Sequence, residues 1–360
     1  MGKFMVVSGF LGAGKTTTMI ALTNYYNKNG RKAAMLANDL GAKNLVDAKF
    51  AALSGEEITE ITGNCICYQT ENLVDKLRRW LDYKKADMVM SDIPGCGVGA
   101  LDHVYNKLRT DYGEEFDLAP FLVIADPERL RTIMPEHADI NLPQEMEYLF
   151  RSQLMEADVV VLNKTDLLTE EEIARYKEFL QQYSNGNPVF AISALNKTGI
   201  DELAEYLIAH DASMKQVDIG YGGAEFVAAE NKLCWYNRQF FVKGDEFDGN
   251  QCMIDFVNVI RELLQKNGGN VPHLKVFAEK NGGDCCKFSL IGVDYDIIED
   301  KKMAEKTDNL SVIVNARAAC PAETLEDIMN EALDILAERY NLEKHIYFTE
   351  CFGMMDEGRF

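Results

Sequence analysis

Gly9-Phe10-Leu11-Gly12-Ala13-Gly14-Lys15-Thr16 fits G-x-x-x-x-G-K-[ST], the pattern of a phosphate-binding loop. Its glycines let backbone N–H groups close on phosphate oxygens that side chains would block. A helix opening near Lys15 turns its positive dipole end toward the same anion. Gly12, Ala13, Gly14, Lys15, Thr16 and Thr17 are the expected nucleotide contacts. Lys15 would reach the β- and γ-phosphates, and the Thr16 hydroxyl would hold Mg²⁺. A glycine-rich turn that binds nothing would not need the further motifs that follow in order.

Asp92-Ile93-Pro94-Gly95 ends the apolar run Met88-Val89-Met90. A carboxylate there can hold Mg²⁺ through water, and the Gly95 N–H can meet a γ-phosphate. Asn163-Lys164-Thr165-Asp166 closes a second apolar run, residues 159–162. The Asp166 carboxylate can accept from both the ring N–H and the exocyclic amine of guanine, a pair that adenine lacks. The Lys164 stem can cover the base. Ser193-Ala194-Leu195 stands where backbone N–H groups can touch the guanine oxygen. Asp166 could instead cap a helix, but the order of the motifs favours base reading. The expected nucleotide is GTP, with Mg²⁺.

Cys65 and Cys67 are one residue apart and can face one metal in a non-helical loop, which Asn64 permits. Thiolates suit Zn²⁺ or another thiophilic divalent ion. Two ligands are too few. Cys96, directly after Gly95, is a candidate third, and Asp39 or Glu60 could add a carboxylate. Cys96 would tie the metal to the segment that senses the γ-phosphate. Free cysteines are also common as small apolar core residues, and Cys234, Cys252, Cys285, Cys286, Cys320 and Cys351 are read so. The five histidines form no ligand spacing.

The elements that must hold these residues alternate strand and helix through residue 215. Apolar strand-like runs lie at 4–7, 31–37, 56–62, 87–91, 121–125, 159–162 and 189–192. Helical spacing lies at 16–29, with Gly30 as its cap, and at 44–53, 71–83, 146–157 and 200–209. Leu73, Val74, Leu77, Trp80 and Leu81 fall on one helical face. Repeated β-α units predict an α/β fold: a mostly parallel sheet with ligands beyond the carboxyl ends of its strands. Residues 1–215 are the expected first domain, and 216–232, with three glycines and no period, a linker. Residues 233–360 are expected to form a smaller α+β domain of the split β-α-β type. Its expected strands are 235–242, 274–278, 287–291, 310–315 and 345–349, and its helices 253–266 and 324–340.

A chain of 360 residues can bury two such cores. A net charge of −21 repels nucleic acid and anionic membranes, so neither is an expected partner. No stretch approaches 18 uninterrupted apolar residues. The N-terminal strand leads straight into the phosphate loop, so no signal peptide is expected and the location is expected to be cytoplasmic. Nine cysteines, an odd number, read as reduced thiols rather than a closed disulfide framework.

The phosphate loop and the turn Asn38-Asp39-Leu40-Gly41 resemble those of the CobW family of GTPases, relatives of HypB, UreG and MeaB. Gln153-Leu154-Met155-Glu156-Ala157-Asp158 resembles the same family, and the likeness covers roughly residues 3–210. The resemblance implies a GTPase that loads or inserts a metal or a metallocofactor such as a cobalamin. Its partners would be a client metalloenzyme or corrinoid protein, with a homodimer as a candidate assembly. Three departures stand out. Asn64-Cys65-Ile66-Cys67-Tyr68 replaces the usual Gly-Cys-x-Cys-Cys, Asp92 stands where glutamate is usual, and residues 216–232 carry no histidine.

In the expected mechanism Lys15 and the loop amides neutralise phosphate charge, and Thr16 and Asp92 position Mg²⁺. Asp39 or Asp47 would place the attacking water or complete the metal shell. The rival readings are a GTP-dependent chaperone of a corrinoid enzyme that carries no metal, and a nucleotide-gated binding module with negligible hydrolysis.

Overall fold

The computed structural model describes residues 2–41, 46, 49, 58–94, 97–134 and 144–353. The chain divides into two compact units, Met1–Leu40 with Ala51–Ala229, and Gly41–Phe50 with Glu230–Phe360.

The first unit contains β1 (Lys3–Gly9), α1 (Lys15–Lys28), β2 (Ala33–Asn38), β3 (Ile58–Ile61), α2 (Thr70–Leu77), β4 (Met88–Asp92), α3 (Lys107–Tyr112), β5 (Asp117–Leu118), β6 (Leu122–Ala125), α4 (Pro127–Arg131), α5 (Gln144–Glu156), β7 (Val159–Leu162), α6 (Glu170–Tyr183), β8 (Val189–Ala191), α7 (Ile200–Ala209) and α8 (Ala224–Glu230). Eight strands among the described residues make one sheet in the order β3-β2-β4-β1-β6-β7-β8, with β5 also pairing β1. Every pairing is parallel. Phe4, Met5, Val6 and Val7 are all fully buried, so both faces of β1 are covered, as parallel strands require. On one face Met5 and Val7 share a core with Met19 and Leu22 of α1 and Leu203 and Leu207 of α7. On the other, Phe4 stacks on Tyr105, which meets Phe121.

The register sets the site. Asn38 lies beside Ile61, Val7 beside Asp92, Gly9 beside Ile124, and Leu162 beside both Ala125 and Ala191. The carboxyl ends of the strands thus form one row, and the described residues of the expected nucleotide motifs hang from it.

The second unit contains β9 (Cys234–Phe247), α9 (Gly249–Lys266), β10 (Asn270–Glu279), β11 (Cys285–Leu290), β12 (Ile298–Lys301), β13 (Thr307–Ala319), α10 (Ala322–Tyr340) and β14 (Glu343–Gly353). Its sheet is antiparallel throughout, in the order β12-β11-β10-β13-β9-β14. β9 and β10 therefore run parallel around β13, and β13 and β14 run parallel around β9. Two split β-α-β units interlock, as the sequence leads one to expect. Tyr236, Phe240 and Val242 of β9 pack in one core with Val312 and Val314 of β13, Phe256 and Ile260 of α9, and Leu325 and Met329 of α10. Both helices thus cover one face.

The differences from expectation have local causes. Residues 216–232, expected as a linker, contain α8, a helix too short to display a period. β12, Ile298–Lys301, was not expected; Ile-Glu-Asp-Lys has exposed charges and one apolar residue, and it lies at a sheet edge. Residues 78–83 continue α2 with widened turns, yet Trp80 and Leu81 stay buried on the expected face. Residues 41–50 belong with the second unit, where Val46 packs with Phe277, Cys285 and Ile313. Most of the expected helix at 44–53, Asp47 included, lies outside the described residues, as do Gly95 and Cys96. Among the described residues no helix is long and apolar enough to cross a membrane.

Candidate functional site

The phosphate loop passes from β1 into α1 with Gly9, Gly12 and Gly14 at positive φ. Two of these glycines are forced. A Cβ on Gly9 would lie 2.2 Å from the Ile124 carbonyl oxygen, and one on Gly14 would lie 2.4 Å from Asn163 Nδ2. The first crowds the backbone of the neighbouring strand, the second the Asn163 side chain. Lys15 Nζ reaches back over the loop to the carbonyls of Gly9 at 2.7 Å and Phe10 at 3.2 Å. The loop is thus closed around its own ammonium group. Phe10 packs edge-on against Phe150 and beneath the Arg129 guanidinium.

Asn163 binds three loops together. Its Nδ2 donates to the Ala13 carbonyl at 2.9 Å, its Oδ1 accepts from the Ala194 N–H at 3.0 Å, and its N–H donates to Ala125 at 2.8 Å. The phosphate loop and both expected base-contacting segments therefore share one buried amide. Lys164 adopts a left-handed conformation, φ 61°. Its ammonium lies 3.7 Å from Asp126 and 4.0 Å from Glu128, at the start of α4. Asp126 also caps α4, accepting from the Glu128 and Arg129 N–H groups. Neither acid stood out in the sequence; the Asp-Pro pair at a strand end was the available signal. Ser193 Oγ donates to Asp166 Oδ1 at 2.5 Å and fixes that carboxylate. Of the expected base-contacting amides, Ser193 N–H donates to Thr198 and Ala194 N–H to Asn163. Leu195, 73% exposed, is the residue of the three that stands outermost.

Asp92 Oδ1 accepts the Asn38 N–H at 2.8 Å. The Asn38 side chain donates to the carbonyls of Ile61 and Asn64 and accepts the Ile66 N–H at 2.9 Å. One buried asparagine thus connects the magnesium candidate to the thiol loop. Asp39, next in the chain, is buried, and its N–H bonds Ile61. Glu60 lies on β3, exposed. The thiol loop is not wholly non-helical. Cys65 is extended, but Ile66–Tyr68 forms one tight turn whose Cys67 N–H bonds Cys65 Sγ at 3.4 Å. Both thiols are buried. Among the described residues no group of three His, Cys, Asp or Glu is arranged to hold an ion. The structure brings Cys65 and Cys67 together and adds neither Asp39 nor Glu60 to them as a formed set. Tyr68, where a third thiol is usual, bonds the Tyr221 hydroxyl at 2.7 Å, and the His103 ring lies 4.4 Å from that of Tyr221.

Glu156 anchors the chain that follows Asp92. It is buried, and Oε2 accepts the Gly99 N–H at 2.7 Å. Burial pushes its carboxyl up to about 7, against the lowering by the Gly99 and Leu101 N–H groups. A raised carboxyl favours folding fully below the unfolded value near 4.5 and loses that contribution as pH rises through about 7. The difference amounts to about 3 kcal/mol. Glu156→Gln keeps an acceptor for Gly99. Urea unfolding at pH 5 and pH 8 should show wild-type stability falling relative to the variant at the higher pH. A constant difference would show that Glu156 does not titrate in this range.

A family model described as the CobW/HypB/UreG nucleotide-binding domain matches residues 3–191. Curated relatives include the zinc chaperone YeiR of Escherichia coli, 31% identical over 51% of this chain and 52% of its own. Zinc-regulated GTPase metalloprotein activator 1 of Schizosaccharomyces pombe is 26% identical over 47% of this chain and 40% of its own. The zinc chaperone CobW of a Sinorhizobium is 24% identical over 51% and 56%. The chain spans about half the length of these relatives. Among solved structures, HypB of Helicobacter pylori in complex with nickel aligns with 58% of this chain and 86% of its own, at 18% identity and TM-score 0.42. Zn(II)-bound YjiA GTPase of E. coli aligns with 93% and 98%, at 17% identity and TM-score 0.35. With the family model covering more than half of its length, the chain belongs to the CobW/HypB/UreG family.

Proposed function

We propose that this protein is a Mg²⁺-dependent GTPase whose nucleotide state controls its hold on a thiophilic divalent metal, zinc first, destined for a client metalloprotein. The observation that carries this reading is the asparagine link: Asn38 bonds Asp92 through its N–H and the thiol loop through its side chain. The chain's residues suit the nucleotide. Glycine at 9 and 14 lets the loop pass where a Cβ would collide with Ile124 and Asn163. Thr16 and Asp92 would hold Mg²⁺, which neutralises charge on the β- and γ-phosphates. Gly12, Ala13, Gly14 and Thr17 would contribute backbone and hydroxyl donors, and Gly95 its N–H. Asn163, Lys164, Asp166 and the 193–195 segment would hold guanine. Asp39 or Asp47 would orient the attacking water. Cys65 and Cys67 would hold the cargo metal, with Cys96 as third thiolate. Relatives named as zinc chaperones favour zinc as that cargo.

Thiolate–zinc distances stay near about 2.3 Å, so a small movement of the loop changes affinity steeply. A nucleotide that tightens zinc binding must itself be bound more tightly by the metal-loaded protein, by the same factor, and one that weakens it less tightly. The test is zinc affinity with GDP and with a non-hydrolysable GTP analogue, for wild type and Cys65→Ser/Cys67→Ser. The expected outcome is a nucleotide effect of roughly tenfold in wild type and loss of tight binding in the variant. Equal affinity in both proteins removes these thiols from the site. A wild-type affinity indifferent to nucleotide ends the gating claim.

A further inference from the structure

The carboxyl ends of β6 and β7 lie side by side, Ala125 beside Leu162. The chain beyond β6 enters α4 through Asp126, and the chain beyond β7 turns through Asn163 and Lys164. Asp126 is wholly buried. Its Oδ1 accepts the Glu128 N–H at 3.2 Å and the Arg129 N–H at 3.4 Å. The same oxygen lies 3.7 Å from Lys164 Nζ, and Glu128 Oε2 lies 4.0 Å from it. Asp126 Oδ2 and Glu128 Oε2 are buried with no hydrogen-bond partner among the described residues. A carboxylate oxygen left so costs stability and calls for a reason. Lys164 itself has a left-handed backbone, φ 61° and ψ 36°, which long side chains rarely adopt. Two locally unfavourable features thus meet at one ammonium group.

We propose that Asp126 and Glu128 are positioning residues for guanine-nucleotide recognition: they clamp the Lys164 ammonium so that its stem stands ready to cover the base. The inference rests on the base-reading assignment of Asn163 to Asp166 and adds to it the acids that hold the lysine. A free lysine side chain samples many rotamers, and fixing one on binding costs affinity. An ammonium already paired with a buried carboxylate has lost that freedom before the nucleotide arrives. With the charge committed to two acids, what Lys164 offers the base is its apolar four-carbon stem. The stem meets the face of a purine and is indifferent to the groups on its edge, whereas Asp166 reads the edge. The clamp therefore sets how tightly a purine nucleotide is held, and Asp166 sets which one. Helix capping alone would account for the bonds from Glu128 and Arg129 N–H to Asp126, but for neither ion pair.

Asp126→Asn separates the two roles, because asparagine caps a helix about as well as aspartate and carries no charge. The probes are GTP and inosine triphosphate, which keeps the ring N–H of guanine and lacks its exocyclic amine, each with Mg²⁺ and the full-length protein. The variant should bind both more weakly by the same factor, roughly tenfold. In turnover the loss should fall on KM, with kcat within about twofold of wild type. In a Lys164→Ala background the same substitution should cost less than about twofold, since the pair that it breaks is already gone. Glu128→Gln, at the half-buried partner, is a second variant and should weaken both nucleotides by about threefold; a melting curve accompanies each protein. Wild-type affinity in both variants, a larger loss for GTP than for inosine triphosphate, or full additivity with Lys164→Ala would each overturn the clamp. A wild type that binds neither nucleotide overturns the base-reading assignment and the clamp with it. A wild type that binds both leaves that assignment standing whatever the variants do.

Discussion

Lys15→Ala lowers single-turnover GTP hydrolysis by about a thousandfold or more, the scale set by removing one preorganised donor from developing charge. The ammonium of the side chain bonds the carbonyls of Gly9 and Phe10 in the loop itself. Replacement with alanine leaves those carbonyls to water at the loop mouth, a modest loss. The hydrophobic contacts that hold the loop, Phe10 against Phe150 and Arg129, are untouched. Thermal unfolding should therefore shift little while nucleotide affinity and turnover both fall. The measurement is phosphate release under single-turnover conditions with Mg²⁺, beside a melting curve. Wild-type turnover in a folded variant would remove the phosphate loop from catalysis.

Asp166→Asn exchanges preference for GTP with preference for XTP. Xanthine offers an oxygen where guanine offers an amine, so an amide can satisfy the one and not the other. The structure dictates which way the new amide faces. Ser193 Oγ donates to Asp166 Oδ1 at 2.5 Å, and only the oxygen of asparagine can accept that bond. The Nδ2 group is then left in the place of Oδ2. Hydrogen bonds to a charged group contribute roughly 1.5–3 kcal/mol each, so GTP affinity should fall by about two orders of magnitude. Competition binding with both nucleotides reads the result. A variant that still favours GTP would refute base reading by Asp166. Adding Ser193→Ala should blunt the exchange, because the amide could then turn either way.

What the sequence disclosed was whatever lies within one short stretch of chain. The phosphate loop, Asn163 to Asp166 and the 193–195 segment are runs of adjacent residues whose types state their chemistry. The parallel sheet follows from apolar runs at regular intervals, and the split β-α-β unit from the alternation that follows. Contacts made across the sheet had no such signature. Asn38 could be seen in its turn, but not its four-way bonding to Asp92, Ile61, Asn64 and Ile66. Glu156 sits among exposed-looking polar residues of a helix, and only the fold buries it. Lys164 was assigned to the base through its stem; its ammonium partners at the start of α4 are about forty residues away in sequence, and no local pattern marks them. Val46 packs with Phe277, Cys285 and Ile313 of β10, β11 and β13, far downstream.

The order of strands in the second unit also sets a timetable for synthesis. β9 pairs along its length with β14, Cys234 opposite Gly353 and Lys243 opposite Glu343. The first strand of this unit to leave a ribosome therefore keeps one bare edge until the last strand emerges. Val46 waits longer still, since its packing partners Phe277, Cys285 and Ile313 are made far later. Closing pairings of such high sequence separation is slow, because chain entropy must be lost before contacts offset it. During that interval β9, rich in aromatic and aliphatic residues, is an open template for another chain. Nascent protein halted before β14 should therefore be the species that holdase chaperones capture and that aggregates first.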